Sequence, residues 1–274
     1  MIELGTILTV LAMTLPAQAE TKTATKRVKP SAEASAAMAK VNAIRARAKG
    51  KKGEDRKAIL REAAAGYGKI VADFAGEPLA IAPASFAAAE ILRAAGELDK
   101  AKDYYQKSIQ FDGVRYQERS TLQLAHIARR KKDGAAALAL YGKVARLKPK
   151  SARAHEARTW IGRCQAEASK PDAAIAAYES AIEMAASPSQ SIDACNRLAA
   201  LFVKLNKLDE AETVIAKAAA ASKSAPTAKG KMAERQTKSW AKAYTNMSAR
   251  RALQRARDKA MKAHKDAAAV EKKR

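Results

Sequence analysis

The sequence has few of the residues that build β-sheets, metal sites and redox centres. Aromatic residues make up 5% of its 274 residues, and runs of β-branched residues are few. This composition disfavours strands and predicts an all-α fold. The three histidines, His126, His155 and His264, fall in separate predicted helices, and neither Cys164 nor Cys195 belongs to a C-x-x-C or zinc-like cluster. We therefore expect no metal, no cofactor and no catalysis.

The two cysteines leave one alternative open. Cys164 and Cys195 fall on predicted helices of adjacent units, so they can form a disulfide if the protein is exported. Burial as two small thiols is favoured, because Cys195 occupies a packing position and a disulfide requires a specific geometry.

What the sequence has instead is a repeat of 36 to 37 residues. Four alanines, spaced by 36, 37 and 37 residues, are each followed four positions later by a bulky residue, and each is preceded twelve positions earlier by a small one. The four units are Ala89, Ala101 and Tyr105; Ala125, Ala137 and Tyr141; Gly162, Ala174 and Tyr178; and Ala199, Ala211 and Ile215. Such a period is typical of stacked helix pairs, in which small residues let helices approach and large ones fill the wider gaps.

These positions resemble the tetratricopeptide repeat pattern, which runs W-x2-L-G-x2-Y, then A-x3-F, then P. Leu124-Ala125, Ile161-Gly162 and Leu198-Ala199 match the leucine-glycine step, and the alanine pairs match A-x3-F. Pro149 matches the closing proline. The tryptophan position instead holds Ser85, Thr121, Arg158 and Cys195. The resemblance covers about residues 80 to 222 and implies a superhelical solenoid of stacked antiparallel helix pairs.

We divide the chain into four segments. Residues 1–19 resemble a secretory signal peptide, because an apolar stretch at 4–15 precedes Ala17-Gln18-Ala19, a small-x-small cleavage pattern. Residues 20–53 form a basic low-complexity segment that can be helical from about residue 33. Residues 54–228 form the tetratricopeptide-like repeat domain, and residues 229–274 a long basic C-terminal helix.

The first segment decides the expected compartment. Cleavage after Ala19 predicts a secreted or periplasmic protein, and no cysteine follows that site to carry a lipid anchor. However, no Lys or Arg precedes the apolar stretch, so an uncleaved amphiphilic N-terminus is the alternative.

Positive charge is concentrated at the two ends of the chain. The net charge is +24, to which residues 20–53 contribute +8 and residues 229–274 contribute +11. Such segments bind polyanions through Lys and Arg, or are simply solvated. Within the C-terminal segment, Trp240, Tyr244 and Met247 lie at helical spacing and are predicted to cap the last repeat.

The family resemblance also implies a groove lined by the first helix of each repeat, in which extended peptides or partner proteins bind. In that register the groove residues are Arg119, Leu122, His126, Arg129, Arg130, Arg163 and Asn196. Arginines in a groove can hold carboxylates through paired hydrogen bonds. The alternative is that these arginines form an ordinary solvated face.

From the sequence we predict an exported, non-enzymatic scaffold that binds a protein or peptide partner and is associated with the cell envelope. The alternative is a polyanion-binding protein that uses its basic tails to bind nucleic acid, anionic lipid or cell-envelope polymer. An enzyme whose site is assembled beyond sequence recognition is a third, weaker class.

Overall fold

The computed structural model describes residues 29–223, 239, 242, 245, 246 and 248–263. Residues 29–223 contain ten α-helices and no strand, so the all-α prediction is confirmed for this part of the chain. They are α1 (Ala32–Ala46), α2 (Gly53–Asp73), α3 (Pro78–Ala95), α4 (Leu98–Phe111), α5 (Gly113–Arg130), α6 (Gly134–Leu147), α7 (Ala152–Glu167), α8 (Pro171–Glu183), α9 (Pro188–Lys204) and α10 (Leu208–Lys223).

Several predictions fall on residues that are not described. The predicted signal peptide at 1–19 lies outside the described residues, as do residues 20–28 of the basic N-terminal segment. The patch of Trp240, Tyr244 and Met247 also lies outside them.

The helix starts follow from local side-chain chemistry. The backbone N–H of Ala136 donates to Asp133 at the start of α6, and that of Ala154 donates to Ser151 at the start of α7, each over 3.0 Å. Pro171 occupies the first turn of α8, where its missing N–H costs no helical hydrogen bond. Short capped turns of this kind return the chain on itself and make consecutive helices antiparallel.

The helices form two layers. Each helix from α1 to α10 packs against its neighbours in sequence, and the odd-numbered helices also contact one another in the order α1, α3, α5, α7, α9. The even-numbered helices lie farther apart from one another. We call the side formed by the odd-numbered helices the inner face and the opposite side the outer face. The predicted solenoid of stacked helix pairs is confirmed by this arrangement.

The core is divided along the stack. Four apolar clusters follow one another, each centred on two or three consecutive helices. One helix, α3, has the length and composition of a membrane span, with a mean hydropathy of 1.2, the only one among the described helices to do so. Half of α3 is buried in the array, which is what a central helix of a folded core requires.

Small and large residues meet where consecutive helices cross. Gly162 of α7 faces the ring of Tyr178 of α8, and a Cβ at position 162 would lie 2.7 Å from Cε1 of that ring. The repeat-packing residues of all four units are buried in the same way. Their spacing in the sequence is therefore the spacing of contacts between helices.

The stack begins before residue 54. Helix α1 packs on α2 and also contacts α3, so it belongs to the array. Gly66 and Gly68 of α2 are points of close approach, since a Cβ would lie 2.8 Å from Cγ2 of Val41 at the first and 2.7 Å from the hydroxyl of Tyr104 at the second.

Residues 248–263 are helical and lie against the last repeat. The guanidinium of Arg251 pairs with Asp209 and Glu212 of α10. A cavity of about 260 Å³ separates this helix from α9 and α10, with Asn196 and Arg250 in its wall. The single long basic helix predicted over 229–274 stays a prediction.

Candidate functional site

The inner face carries a series of buried tyrosine hydroxyls, each bonded to a polar side chain. The Tyr67 hydroxyl donates to Asn42 over 2.6 Å, and the Tyr105 hydroxyl donates to Glu90. In the next repeat, Nδ1 of His126 lies 2.7 Å from the Tyr141 hydroxyl. Each partner comes from the preceding odd-numbered helix, so the bonds tie the inner layer to the outer one.

The hydroxyls of Tyr105 and Tyr141 are held in the protonated form. Burial raises the pKa of Tyr105, and the bond to Glu90 raises it further. Arg93 completes this group, because its Nε donates to the Tyr105 hydroxyl over 3.2 Å and its terminal nitrogen pairs with Glu90 at 3.2 Å. Burial also raises the pKa of Tyr141 to about 12.

The second and third repeats together form an aromatic and basic cluster on the inner face. The rings of Tyr141 and Trp160 are parallel within 8°, with centroids 6.3 Å apart, and the His126 ring meets both edge-on. The guanidinium of Arg129 lies 4.2 Å from the Trp160 ring centroid and that of Arg163 lies 5.0 Å from it. We call these five residues the Trp160 cluster.

Charge within this cluster is only partly balanced. Nε2 of His126 lies 3.2 Å from Glu156, and the hydrogen bond to His126 lowers the pKa of that carboxyl below its usual value. Arg163 donates to Glu167 over 2.8 Å. Nε of Arg129 is buried and has no hydrogen-bond partner in the described part of the chain. The Arg129 side chain as a whole is only partly buried and pairs with no carboxylate among the described residues, so its guanidinium can donate to an anionic partner.

The structure brings together some of the predicted groove residues and separates others. His126, Arg129 and Arg163 meet in the Trp160 cluster, while Leu122 is 3% exposed and packs in the core. Arg130 is exposed near the end of α5.

The two remaining groove residues lie elsewhere along the stack. Arg119 lies 5.7 Å from the Phe86 ring in the preceding repeat. Asn196 lines the cavity beneath the C-terminal helix. The predicted set is thus spread over three places along the inner face, of which the Trp160 cluster is the most complete.

Comparison with known sequences agrees with this architecture. The sequence profile of the tetratricopeptide repeat matches residues 82–114, which span α3 and α4. The chain contains a tetratricopeptide repeat. No curated protein matches its sequence.

Solved structures with this fold include several tetratricopeptide-like arrays. A crystal structure of the protein MamA is 17% identical over 72% of this chain and 95% of that one, with a TM-score of 0.54. A fragment of MamA from Desulfovibrio magneticus RS-1, residue 41 to the end, is 14% identical over 71% and 97%, with a TM-score of 0.52. BtubC from P. vanneervenii is 16% identical over 69% and 89%, with a TM-score of 0.51. At these identities the likeness shows a common fold.

The sequence prediction missed Glu90, Glu156 and Trp160, of which Glu90 shares a register with two predicted residues. Glu90, His126 and Arg163 each stand fifteen positions before the tyrosine of their own repeat, but only the last two were predicted as groove residues. Trp160 and Glu156 were also missed, because their role depends on contact with the preceding repeat. The fifteen-residue spacing is a signal that could have identified Glu90.

The described residues include both cysteines but no cluster of metal-ligating side chains. No group of three His, Cys, Asp or Glu side chains in this part of the chain is arranged to hold a metal ion. Both cysteines are free thiols, with Cys195 buried and Cys164 partly buried beside the Trp160 cluster. Burial raises the pKa of each thiol, which disfavours the reactive thiolate.

Proposed function

We propose that this protein is a non-enzymatic scaffold that binds an acidic segment of a partner protein on its inner face. The observation that supports this most directly is the partly exposed guanidinium of Arg129, which lies over the Trp160 ring and pairs with no carboxylate among the described residues. A carboxylate is the acceptor that a guanidinium binds best, because two parallel hydrogen bonds fit its planar fork. The aromatic surface of Trp160 adds apolar contact next to that charge.

The neighbouring charges fit an acidic partner. Arg119 and Arg130 on α5 are exposed on either side of the Trp160 cluster along the inner helix. Glu156 and Glu167 are engaged with His126 and Arg163, so they repel an incoming carboxylate less than free carboxylates would. Extended acidic peptides fit this row of cations.

We further propose that the scaffold is exported and works in the cell envelope. This proposal rests on the apolar stretch and the small-x-small pattern that ends at Ala19. Sequencing the N-terminus of the mature protein tests it. A chain that retains Met1 in the cell would contradict export by cleavage.

A second candidate function is binding of polyanions through the basic ends. One observation favours it: residues 248–263 expose Arg255, Arg257, Lys259 and Lys262 along one helix, and Leu253 is 72% exposed beside them. Such a helix attracts phosphate polymers and anionic lipid without sequence specificity.

Affinity capture from the source cells distinguishes the two functions. The baits are the wild-type chain, the double variant Arg129→Gln/Arg163→Gln and a chain that lacks residues 229–274. Captured molecules are identified by mass spectrometry and by nucleic-acid staining, at low and at high salt. The scaffold function predicts protein partners that are lost with the double variant and retained after removal of the tail.

The matched control for this experiment is Lys143→Gln/Arg146→Gln, which removes two cations from exposed positions of α6 instead of the inner face. If every captured molecule is nucleic acid, lipid or envelope polymer and disappears with the tail or with salt, the scaffold function is wrong and polyanion binding is supported.

A further inference from the structure

The outer face has a groove that the inner-face function does not use. It runs between α2 and α4, over the C-terminal half of α3, and encloses about 520 Å³. Ile91 and Leu92 form part of its floor. Leu92 follows Glu90 by two positions, about 200° around the helix, so the groove lies on the side of α3 opposite the inner face.

The floor of the groove is apolar and smooth. Leu60 and the ring of Tyr104 contribute large apolar surfaces, while Ala65 and Ala95 leave the helix backbones accessible. Helices approach closely where alanine lines the contact. The lining of α2 runs from Arg56 to Ala65, about 14 Å at the rise of an α-helix, which is the length of two to three helical turns.

One end of the groove is closed and the other is open. The Tyr104 side chain reaches across from α4 to Gly68 of α2, where a Cβ would be 2.7 Å from its hydroxyl. The other end opens at the start of α2 and at the turn between α3 and α4. A segment of another molecule can therefore enter from that side and abut the Tyr104 ring.

The rim is basic. Arg56, Lys57, Arg61 and Lys100 line it, and Glu97 of the lining pairs with Lys100 at 2.8 Å. Glu54, at the start of α2, pairs with Lys57 at 2.7 Å and with Arg61 at 3.9 Å. Four cations face two carboxylates, so the rim keeps a net charge of +2. Beyond the closed end, the ammonium of Lys107 lies 5.6 Å from the Tyr104 ring centroid. The charge around the apolar floor thus selects a ligand with carboxylates on both sides of an apolar strip.

The chain's own segments are poor occupants of this groove. Residues 20–53 and 229–274 carry net charges of +8 and +11, and a second copy of the chain brings a total of +24. Like charges face each other in each of these cases, which costs binding energy. An acidic partner avoids this repulsion.

We propose that this groove binds an acidic amphipathic helix of a partner protein, about two to three turns long, with its apolar side chains on Leu60, Leu92 and Tyr104. The site lies on the face opposite the Trp160 cluster and does not depend on the inner-face function. The array then holds two acidic partners at once, one on each face.

Fluorescence anisotropy with a designed probe tests this site. The probe is a fluorescein-labelled helical peptide with leucine along one face and glutamate on both sides of it, and its control has glutamine in place of each glutamate. The groove variants are Ala65→Trp, which fills the floor, and Arg61→Glu, which reverses the rim charge. Matched controls on α6 are Ala139→Trp and Lys143→Glu, both at exposed positions.

The glutamate peptide should bind the wild type and both α6 controls, and bind each groove variant roughly tenfold more weakly. Thermal melting by circular dichroism verifies that the groove variants remain folded. The proposal is overturned if the wild type fails to bind the probe, if the glutamine peptide binds as well, or if folded Ala65→Trp binds like the wild type. Loss of binding in Arg129→Gln with full binding in Ala65→Trp also overturns it, because the probe then occupies the inner face.

Discussion

At the scale of single residues, two glycines in helix interiors have opposite surroundings. A Cβ at Gly162 would lie 2.7 to 2.8 Å from three atoms of the Tyr178 ring, and that ring is 5% exposed and held by the core. A Cβ at Gly142 would meet only the flexible end of Arg146, at 3.5 Å. The first glycine is required by packing, whereas the second is not.

This contrast predicts opposite effects of the same substitution. Helix propensity favours alanine over glycine by up to about 1 kcal/mol, while overpacking costs about 1–3 kcal/mol. We expect Gly162→Ala to lower the free energy of unfolding by about 1 kcal/mol and Gly142→Ala to raise it by up to about 1 kcal/mol. Urea denaturation followed by circular dichroism measures both. Equal effects of the two substitutions would contradict the close contact between Gly162 and Tyr178.

A buried tyrosine predicts how stability changes at alkaline pH. Burial raises the pKa of Tyr141 from 10.0 to about 12, so the folded state holds this proton more tightly than the unfolded state. The stabilisation that this gives is fully present below about pH 10 and is lost as the pH rises through about 12. Tyr141→Phe lacks this contribution, and near neutral pH it is destabilised by about 1 kcal/mol because His126 loses its partner.

The stability difference between wild type and Tyr141→Phe should therefore shrink above about pH 10. Denaturant unfolding of both proteins across that range measures it, and the other titrating groups cancel in the difference. A difference that stays constant with pH would show that Tyr141 ionises alike in the folded and unfolded chains.

At the scale of helices, Arg158 joins two of them. It occupies the position of the family's tryptophan and is 8% exposed. Its guanidinium donates to the carbonyl oxygens of Pro149 over 2.7 Å and of Ala145 over 3.1 Å. It thus satisfies a carbonyl in the last turn of α6 and fixes the turn that leads into α7.

Removing this guanidinium should loosen the connection between the two helices. We expect Arg158→Met to lower the free energy of unfolding by about 1–3 kcal/mol, because two carbonyl groups lose a charged donor. Arg158→Lys should lower the free energy of unfolding by less than Arg158→Met does. It should not restore the wild-type value, because one ammonium cannot span both carbonyl oxygens as the planar guanidinium does. Arg130→Met, at an exposed position, is the control and should stay within about 0.5 kcal/mol of the wild type. Equal melting temperatures of Arg158→Met and Arg130→Met would refute the bridging role.

The helices and their register were predictable because both depend on local chemistry. Asp133 and Pro171 mark helix starts, and the alanines that pair with Tyr105 and Tyr141 mark where helices cross. The Trp160 cluster was only half predictable, because its stacking joins residues from α5, α6 and α7 whose relative positions depend on how the repeats twist. The outer groove had no sequence signal, since alanines that line a surface look the same as alanines that pack a core.

At the scale of the whole molecule, stability is distributed along the stack. Each apolar cluster involves neighbouring helices, from α1 to α4 at one end to α7 to α10 at the other. In such an array the free energy of unfolding is close to the sum of a contribution from each repeat and a contribution from each interface between neighbouring repeats. A substitution that disrupts one interface therefore destabilises the nearby repeats most.

This distribution predicts where a severe substitution acts. Leucine at position 162 cannot fit beside the Tyr178 ring, so Gly162→Leu should unfold α7 and α8 and weaken the repeats on either side. Amide hydrogen exchange should show protection lost in α7 to α10, while α2 and α3 keep most of theirs. Ala139→Leu, an equally large addition at an exposed position of α6, should leave the exchange pattern unchanged. If Gly162→Leu instead removes protection uniformly from α1 to α10, the chain unfolds as one cooperative unit and the neighbour-by-neighbour account of its stability is wrong.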